Sequence, residues 1–259
     1  DINKENLLLD TSILEEKINS KTKAIMPVHY SGDPSNISKV YEIASKYNLR
    51  VIEDAAHAFG SLFDNKLIGS FGDTSCFSFD GIKNITCGEG GCIVTNDNKL
   101  INLAKDKRLL GINKDSENRY LNSRSWEFDV FTQGWRYHMS DIMAAIGIVQ
   151  LKRFENFSKK RQKIAKLYDK QFNDLSRIKV FKRDYNQIVP HIYVIRIKGL
   201  KKRNELREKL LDSGIQTGIH YNLNHELAFF KSQNNSKLEN SETICNEILT
   251  LPLHIDIKD

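Results

Sequence analysis

Residues 76–91 read CFSFDGIKNITCGEGG, which is an apolar strand pattern followed by a lone lysine, Lys83, and a glycine-rich turn. Upstream, residues 51–54 read VIED and predict a second short strand that ends in carboxylates. The two segments therefore predict an amine and a carboxylate at the ends of two strands. A strand end is a rigid place to hold a reacting group.

This pairing fits the needs of one cofactor. Pyridoxal phosphate requires a lysine for its aldehyde and an acid for its ring nitrogen. Lys83 is the candidate for the first role, because partial burial favours the neutral, nucleophilic amine. Asp54 is the candidate for the second, because a carboxylate keeps the ring nitrogen protonated. The alternatives are a surface lysine in a turn and a carboxylate that caps a helix over residues 55–58.

Two more side chains are candidates near this pair. His57 follows Asp54 by three residues and can approach the cofactor ring or its phenolic oxygen; a hydrogen-bonded structural histidine is the alternative. Ser78 can donate its hydroxyl to the cofactor phosphate, unless it is an ordinary strand serine. The glycines at 88–91 do not form a GxGxxG motif and precede a strand, so they are interpreted as a tight turn rather than a nucleotide loop.

Bulk composition indicates a globular protein. The chain has 259 residues, of which 40% are hydrophobic and 28% charged, and its net charge is +6.

The basic residues lie neither in aromatic-rich strands nor in a DNA-reading helix, so no nucleic acid is expected, and a modest positive field suits a diphosphate-bearing substrate. No apolar run approaches the ~18 residues of a membrane span. The first residues do not resemble a signal peptide, and a cytoplasmic location is predicted.

The cysteine pattern predicts no metal site. The four cysteines do not form CxxC pairs, so zinc is not expected, and reduced, buried thiols are the preferred interpretation. They are Cys76, Cys87, Cys92 and Cys245.

The first half of the chain alternates strands and helices. Strands are predicted over residues 23–28, 50–53, 74–79 and 91–95, and helices over 10–18, 35–47 and 97–109. This order favours a parallel sheet with crossover helices. Residues 111–134 are polar and irregular, and long loops of this kind are often functional.

The second half changes pattern. Two consecutive helices are predicted over 139–154 and on to 172, then a strand over 191–197, a helix over 202–211, a strand over 214–220 and a helix over 241–249. We therefore expect a large α/β domain over residues 1–158 and a smaller α+β domain over 159–259. The chain opens within an α/β pattern and ends without a closing helix, so both domains are expected to be incomplete.

Together these segments resemble the DegT/DnrJ-type aminotransferases, which are sugar aminotransferases of pyridoxal-phosphate fold type I. Residues 53–60, EDAAHAFG, are similar to the family motif EDAA[QH]xxG. Residues 69–73 with 77–79 and 83–84 resemble its lysine segment. Weaker similarities lie at 22–29, 144–151, 218–221 and 251–254. The resemblance covers almost the whole chain.

The resemblance implies roles for individual residues. Lys83 would bond to the cofactor and then act as acid and base for the 1,3-proton shift, and Asp54 would pair with the pyridine nitrogen. His57 would lie near the ring, and Ser78 would contact the phosphate. Related sugar 3-dehydratases carry histidine in place of this lysine, so Lys83 favours amino transfer over dehydration.

Two segments leave roles open. Residues 134–138 read GWRYH where the family often shows GxNxR, whose side chains reach the phosphate in a neighbouring subunit. Arg136 and His138 occupy the polar positions, and either a cationic donor keeps the role or the role is lost. His220, Tyr221 and His225 lie in a segment that either lines the substrate pocket or is structural.

The resemblance implies a fold type I α/β protein with a mixed, mostly parallel sheet of seven-stranded type, only partly present here, and a smaller C-terminal α+β domain. It implies ping-pong transamination of a nucleotide-linked keto-sugar with L-glutamate as amino donor, in a homodimer with shared sites. The alternatives are a regulatory relative without turnover, an inactive truncated relative and, most weakly, a sugar dehydratase.

Overall fold

The computed structural model describes residues 1–112, 128–231 and 237–258. In chain order its strands are β1 Ala24–Ile25, β2 Arg50–Asp54, β3 Leu62–Phe63, β4 Lys66–Leu67, β5 Thr74–Ser78, β6 Gly91–Thr95, β7 Ile178–Val180, β8 Tyr193–Ile197 and β9 Ile248–Leu251. Its α-helices are α1 Ile37–Lys46, α2 Asn98–Arg108, α3 Asp141–Phe172, α4 Arg203–Asp212, α5 Ala228–Lys231 and α6 Glu239–Cys245. Short 3-10 helices cover Glu15–Lys17, Tyr30–Gly32 and Asn224–Glu226.

The main sheet has the strand order β1-β2-β5-β6. β1, β2 and β5 run parallel, and β6 runs antiparallel to β5. The helix α1 connects β1 to β2 and buries Val40 and Ile43 against Ile25 and Val51. This strand–helix–strand unit is the crossover that the sequence predicts, and the sheet confirms the mixed α/β class.

A second, antiparallel sheet has the order β7-β8-β9. Its residues Tyr193, Ile195 and Leu249 pack against Ile164 and Ala165 of α3. The helix predicted over 241–249 is wrong in its last turn, because α6 ends at Cys245 and β9 follows. Residues 248–250 are buried and pair with β8, so pairing with a neighbouring strand outweighs the local helical pattern.

The two helices predicted over 139–172 are a single helix, α3. Its N-terminus is capped by Ser140, whose Oγ accepts from the Met143 amide at 3.3 Å. No proline interrupts the 32 residues that follow, so nothing stops the helix near residue 155. Because α3 is continuous across residue 158, the division into domains at that position stays a prediction.

Two short predicted elements are present only as remnants. The predicted helix over 10–18 is reduced to the 3-10 turn Glu15–Lys17, since Asp10 Oδ1 accepts from the amide and hydroxyl of Ser12 instead of starting a helix. The strand predicted over 214–220 is reduced to a bridge between Gly218 and Thr250. Residues 113–127, most of the predicted long loop, lie outside the described residues.

Two general expectations can be compared with the described residues. Cys76, Cys87, Cys92 and Cys245 all carry free thiols. Among the helices described, none combines the length and hydropathy that crossing a bilayer requires.

Candidate active site

The two carboxylates at the end of β2 have different surroundings because successive strand side chains point to opposite faces. Glu53 is fully buried: its Oε2 lies 2.7 Å from His29 Nε2, and its Oε1 accepts from Tyr41 Oη at 2.8 Å. Asp54 is half-buried on the other face. Burial raises the pKa of Tyr221, and the negative charge of Asp54 is the second cause of this shift. Both oxygens of Glu53 therefore have buried partners and a structural role, whereas Asp54 is on the face of the strand that is directed towards Tyr221.

Asp54 does not cap a helix. Its Oδ1 accepts from the Ala56 amide at 3.1 Å, but residues 55–60 form turns rather than the helix considered as an alternative. The carboxylate thus stabilises the turn that carries His57 away from the strand end.

The loop that carries Lys83 is closed at its base. Phe79 donates its amide to Gly90 O at 2.8 Å, and Cys87 donates its amide to Phe79 O at 3.0 Å. At the tip, the Lys83 amide donates to Asp80 O at 3.0 Å. The buried Asn84 side chain donates to Phe59 O at 3.1 Å. Hydrogen bonds therefore hold the backbone on both sides of Lys83.

His57 is at the centre of a buried cluster. It is 5% exposed, and its ring centroid lies 4.4 Å from that of His191. Its Nδ1 lies 3.3 Å from the Ser31 amide and its Nε2 lies 2.8 Å from Tyr221 Oη. Burial, with the positive charge of Lys83 as a second cause, lowers the pKa of His57 to about 3. The imidazole is therefore neutral near pH 7.

Lys83 and Asp54 act on this same cluster. Burial is the main cause that lowers the pKa of His57, His191 and His220. The positive charge of Lys83 is a further cause for each of the three. The charge of Asp54 acts on Tyr221, whose hydroxyl contacts His57. The amine and the carboxylate therefore both influence the protonation of residues in this one cluster, which is consistent with a ring that needs both groups.

His191 is a site residue that sequence reasoning missed. It is 5% exposed, its Nδ1 has no hydrogen-bond partner among the described residues, and burial lowers its pKa to about 2. Behind it, Arg161 of α3 donates from Nη1 to His191 O at 3.1 Å and to Leu253 O at 3.0 Å. Neither residue belongs to a family motif, and the sequence signal for His191 is a histidine two residues before a buried strand.

The 3-10 turn Tyr30–Gly32 ties the cluster together. Tyr30 Oη donates to His220 O, and Ser31 Oγ donates to Ile192 O. Gly32 has a φ of +89°, and a Cβ there would lie 2.5 Å from Val189 O and 3.1 Å from His57 O. Only glycine fits this turn, which brings the Ser31 amide to His57.

His220 and Ser78 lie beside the cluster. His220 Nδ1 is 2.9 Å from Thr250 Oγ1, so β9 holds its ring. Ser78 is half-buried at the end of β5, and its Oγ accepts from the Asp80 amide at 3.4 Å at the start of the Lys83 loop. Its hydroxyl hydrogen remains available to an anion.

The contacts of Arg136 and His225 are with residues outside this cluster. Arg136 is exposed and bridges to Leu109 beyond the end of α2. His225 pairs through Nε2 with Glu242 Oε1 of α6 at 3.3 Å. Of the predicted site residues, the structure brings together Lys83, Asp54, His57, His220 and Tyr221, with Ser78 at the base of the Lys83 loop.

Solved structures of similar fold are aminotransferases. Helicobacter pylori PseC, an aminotransferase involved in the biosynthesis of pseudoaminic acid, is 29% identical with a TM-score of 0.90 over 99% of this chain and 68% of that one. The putative sugar aminotransferase Spr1654 from Streptococcus pneumoniae, in its PMP form, is 28% identical with a TM-score of 0.91 over 100% of this chain and 71% of that one. A structure of Spr1654 in its PLP form is also similar, with a TM-score of 0.88.

The residues present fit pyridoxal 5'-phosphate. Lys83 and Asp54 would supply the amine and the acid that the cofactor needs, and the buried Nδ1 of His191 is a polar atom that has no hydrogen-bond partner among the described residues. This donor set is the one that the cofactor requires.

The family assignment rests on the whole chain. An uncharacterized protein of Methanocaldococcus jannaschii is 37% identical over 100% of this chain and 69% of that protein. The model of the DegT/DnrJ/EryC1/StrS aminotransferase family matches residues 1–259. The chain therefore belongs to this family of aminotransferases, whose cofactor is pyridoxal 5'-phosphate.

Proposed function

We propose that the protein transfers an amino group from L-glutamate to a nucleotide-linked keto-sugar. The observation that carries the proposal is the convergence of Lys83 and Asp54 on the cluster around His57. The similarity to Spr1654, a putative sugar aminotransferase, supports a sugar acceptor. The net charge of +6 supports a substrate that carries phosphates.

Bound pyridoxal phosphate supplies an electron sink for breaking the bond to hydrogen next to the amine. In the proposal, Lys83 holds the cofactor and afterwards acts as the acid and base of the 1,3-proton shift. The turn at Asp80 and the buried Asn84 keep its backbone in place. Asp54 holds a proton on the ring nitrogen by charge attraction, and Ser78 donates its hydroxyl to the phosphate.

The walls of the site select its ligands. His57 and His191 are neutral and buried, so they exclude water on one side without adding charge. His220 and Tyr221 lie on the more open side, where the sugar is proposed to bind. His225 is held by Glu242 and would contribute at the edge of that pocket.

We also propose a homodimer with shared sites. The first half of α3 and the segment before it expose large apolar side chains, an unusual arrangement for a monomer surface. They include Phe131, Tyr137, Ile142, Ile148 and Val149. Arg136 lies in this same exposed segment, which supports its reaching the phosphate in a partner subunit. The cytoplasmic location stays a prediction from the sequence.

The test uses absorbance and peptide mass. The loaded protein is expected to show the absorbance of lysine-bound cofactor and to lose it when glutamate is added. Borohydride reduction of a separate sample, to which no glutamate has been added, should fix the cofactor to the peptide that contains Lys83. Lys83→Ala should remove both signals in a soluble protein, while Lys66→Ala, in the exposed β4, should keep them. Full amino transfer by Lys83→Ala would show that the proposed mechanism is wrong.

Glutamate and sugar specificity need separate measurements. A panel of keto-sugar nucleotides should identify an acceptor that restores the absorbance lost with glutamate. A protein that binds the cofactor but never responds to an amino acid would instead support the regulatory alternative.

A further inference from the structure

One side chain joins the loop that carries Lys83 to the turn that follows Asp54. Asn84 Nδ2 donates to Phe59 O at 3.1 Å. The other hydrogen bonds of residues 80–89 stay among themselves or reach the base of the loop at residues 78, 79 and 90. Within the part of the chain that the structure describes, the bond from Asn84 is thus the one hydrogen bond that leaves this loop.

The orientation of the Asn84 amide follows from its partner. A backbone carbonyl can only accept, so the NH2 group must face Phe59 O, and Oδ1 must face the other way. Asn84 is 4% exposed, and its Oδ1 has no hydrogen-bond partner among the described residues. A buried acceptor without a partner lowers the stability of a fold. A residue that keeps one useful bond at the expense of an unpaired atom is typical of functional sites.

Phe59 is a firm anchor for this bond. Its ring makes edge-to-face contacts with the rings of Phe77, Phe79 and Phe154, at centroid distances of 5.6, 5.7 and 5.0 Å. The next residue, Gly60, has a φ of +80°, and a Cβ there would lie 2.3 Å from the Phe154 ring. The carbonyl that Asn84 contacts is therefore held against both β5 and α3.

The same turn leads back to Asp54 through consecutive hydrogen bonds. The Ala58 amide donates to Ala55 O at 2.9 Å, and the Ala56 amide donates to Asp54 Oδ1 at 3.1 Å. Any displacement of the turn relative to Asp54 would break these bonds. The bond from Asn84 therefore connects the loop of the candidate amine to the turn that the candidate acid itself stabilises.

We propose that Asn84 is a positioning residue that sets where the Lys83 amine stands relative to Asp54. This inference rests on the proposed function, which gives those two side chains their roles. Without the bond to Phe59, the loop keeps its closed base but can shift against the turn. A misplacement of about 1 Å can slow a reaction between bound groups up to about 100-fold. The bond between Lys83 and the cofactor should therefore form more slowly, although the rest of the pocket is unchanged.

The first test measures hydrogen exchange in the full chain without cofactor. In Asn84→Ala, the amides of residues 80–90 should exchange about 5-fold faster or more, whereas those of β8 should keep the wild-type rate. Asn84→Leu, which keeps the branched shape without either polar atom, should show the same change. Asn156→Ala, at an exposed position of α3, is the control and should leave both regions unchanged. Wild-type exchange of residues 80–90 in both Asn84 variants would overturn the proposal.

The second test compares two forms of the cofactor. Pyridoxal phosphate has an aldehyde that can bond to Lys83, whereas pyridoxamine phosphate has none. Asn84→Ala should slow the appearance of the absorbance of lysine-bound cofactor by about 10-fold or more. The same variant should bind pyridoxamine phosphate with wild-type affinity, because that form needs no amine. A residue that only stabilises the fold would instead affect both forms alike.

A double-mutant cycle identifies the residue through which Asn84 acts. Asn84→Ala should weaken pyridoxal phosphate binding when Lys83 is present, but should have no effect in Lys83→Ala. Equal effects with and without Lys83, or equal losses of the two cofactor forms, would overturn the proposal. A wild-type chain that binds neither form would count against the proposed function, and the hydrogen-exchange result would still decide whether Asn84 holds the loop.

Discussion

Tyr30 Oη donates a hydrogen bond to the backbone carbonyl of His220, a residue 190 positions further along the chain. Tyr30 belongs to the turn after β1, whereas His220 directly precedes Tyr221. The bond therefore joins the strand ends of the main sheet to the segment that forms the open side of the site. Burial raises the pKa of Tyr30, so its hydroxyl remains a donor across the physiological range.

Tyr30→Phe should destabilise the protein by about 1 kcal/mol, because the His220 carbonyl loses its partner in a buried setting while the ring volume is retained. Urea unfolding followed by circular dichroism measures the change. Tyr47→Phe, which removes an exposed hydroxyl, should leave the midpoint unchanged. Equal midpoints for the two variants would show that this long-range bond contributes nothing to stability.

Asp54→Asn should lower turnover about 100-fold or more, because it preserves the shape of the side chain but removes the charge that we propose keeps the ring nitrogen protonated. The Ala56 amide can still donate to the Asn oxygen, so the turn after β2 should persist. Steady-state kinetics measures the loss. Asp64→Asn, in the exposed β3–β4 turn, is the control and should be fully active. Wild-type turnover in Asp54→Asn would remove Asp54 from the mechanism.

The neutral state of His57 makes stability depend on pH. Its pKa falls from an ordinary value of 6.5 in the unfolded chain to about 3 in the fold. Below pH 6.5 the unfolded chain binds a proton that the native chain does not, so stability should fall as the pH decreases from about 6.5 towards 3. The slope is at most about 1.4 kcal/mol per pH unit. His191, with its pKa lowered to about 2, acts in the same direction.

Urea unfolding of wild type and His57→Gln at a series of pH values between 4 and 7, about 0.5 unit apart, measures this effect. In the His57→Gln variant, the slope of unfolding free energy against pH should be smaller by the contribution of about one proton. His254→Gln, at an exposed position, should retain the wild-type slope. Parallel curves for wild type and His57→Gln would mean that His57 titrates alike in the folded and unfolded chain.

Arg161→Met should destabilise the fold by about 3 kcal/mol, since it removes a charged donor from the backbone carbonyls of Pro190, His191 and Leu253. Arg161 is buried, and its hydrogen-bond partners among the described residues are backbone carbonyls rather than carboxylates. Burial lowers its pKa to about 10, which leaves it charged at neutral pH. Thermal and urea unfolding measure the loss. Lys152→Met, on an exposed position of the same helix, should change stability little.

The sequence was sufficient for the family, the fold class and the cofactor, because each depends on local patterns. Strands β2, β5 and β6 lie where their apolar runs predict them, and α2 begins after Asp97, whose side chain accepts from the amides of Lys99 and Leu100. The position of Lys83 after β5 follows from the same pattern.

The parts that were missed depend on contacts between distant segments. β9 is a strand because β8 is next to it, and no pattern within residues 241–249 predicts that partner. The roles of His191 and Arg161 arise from packing of α3 against the segment before β8. The contact between Tyr221 and His57 joins residues 164 positions apart and can be found only in the folded chain.

The alternation of Glu53 and Asp54 has a consequence for insertions and deletions. Glu53 fits a sealed pocket with His29 and Tyr41, and Asp54 faces the opposite way. Deleting one residue of β2 ahead of them would turn each carboxylate to the face of the other. Such a shift along the strand would bury the carboxylate that we propose for the ring nitrogen and expose the one that stabilises the fold. This position should therefore tolerate exchanges of residue type far better than changes of length.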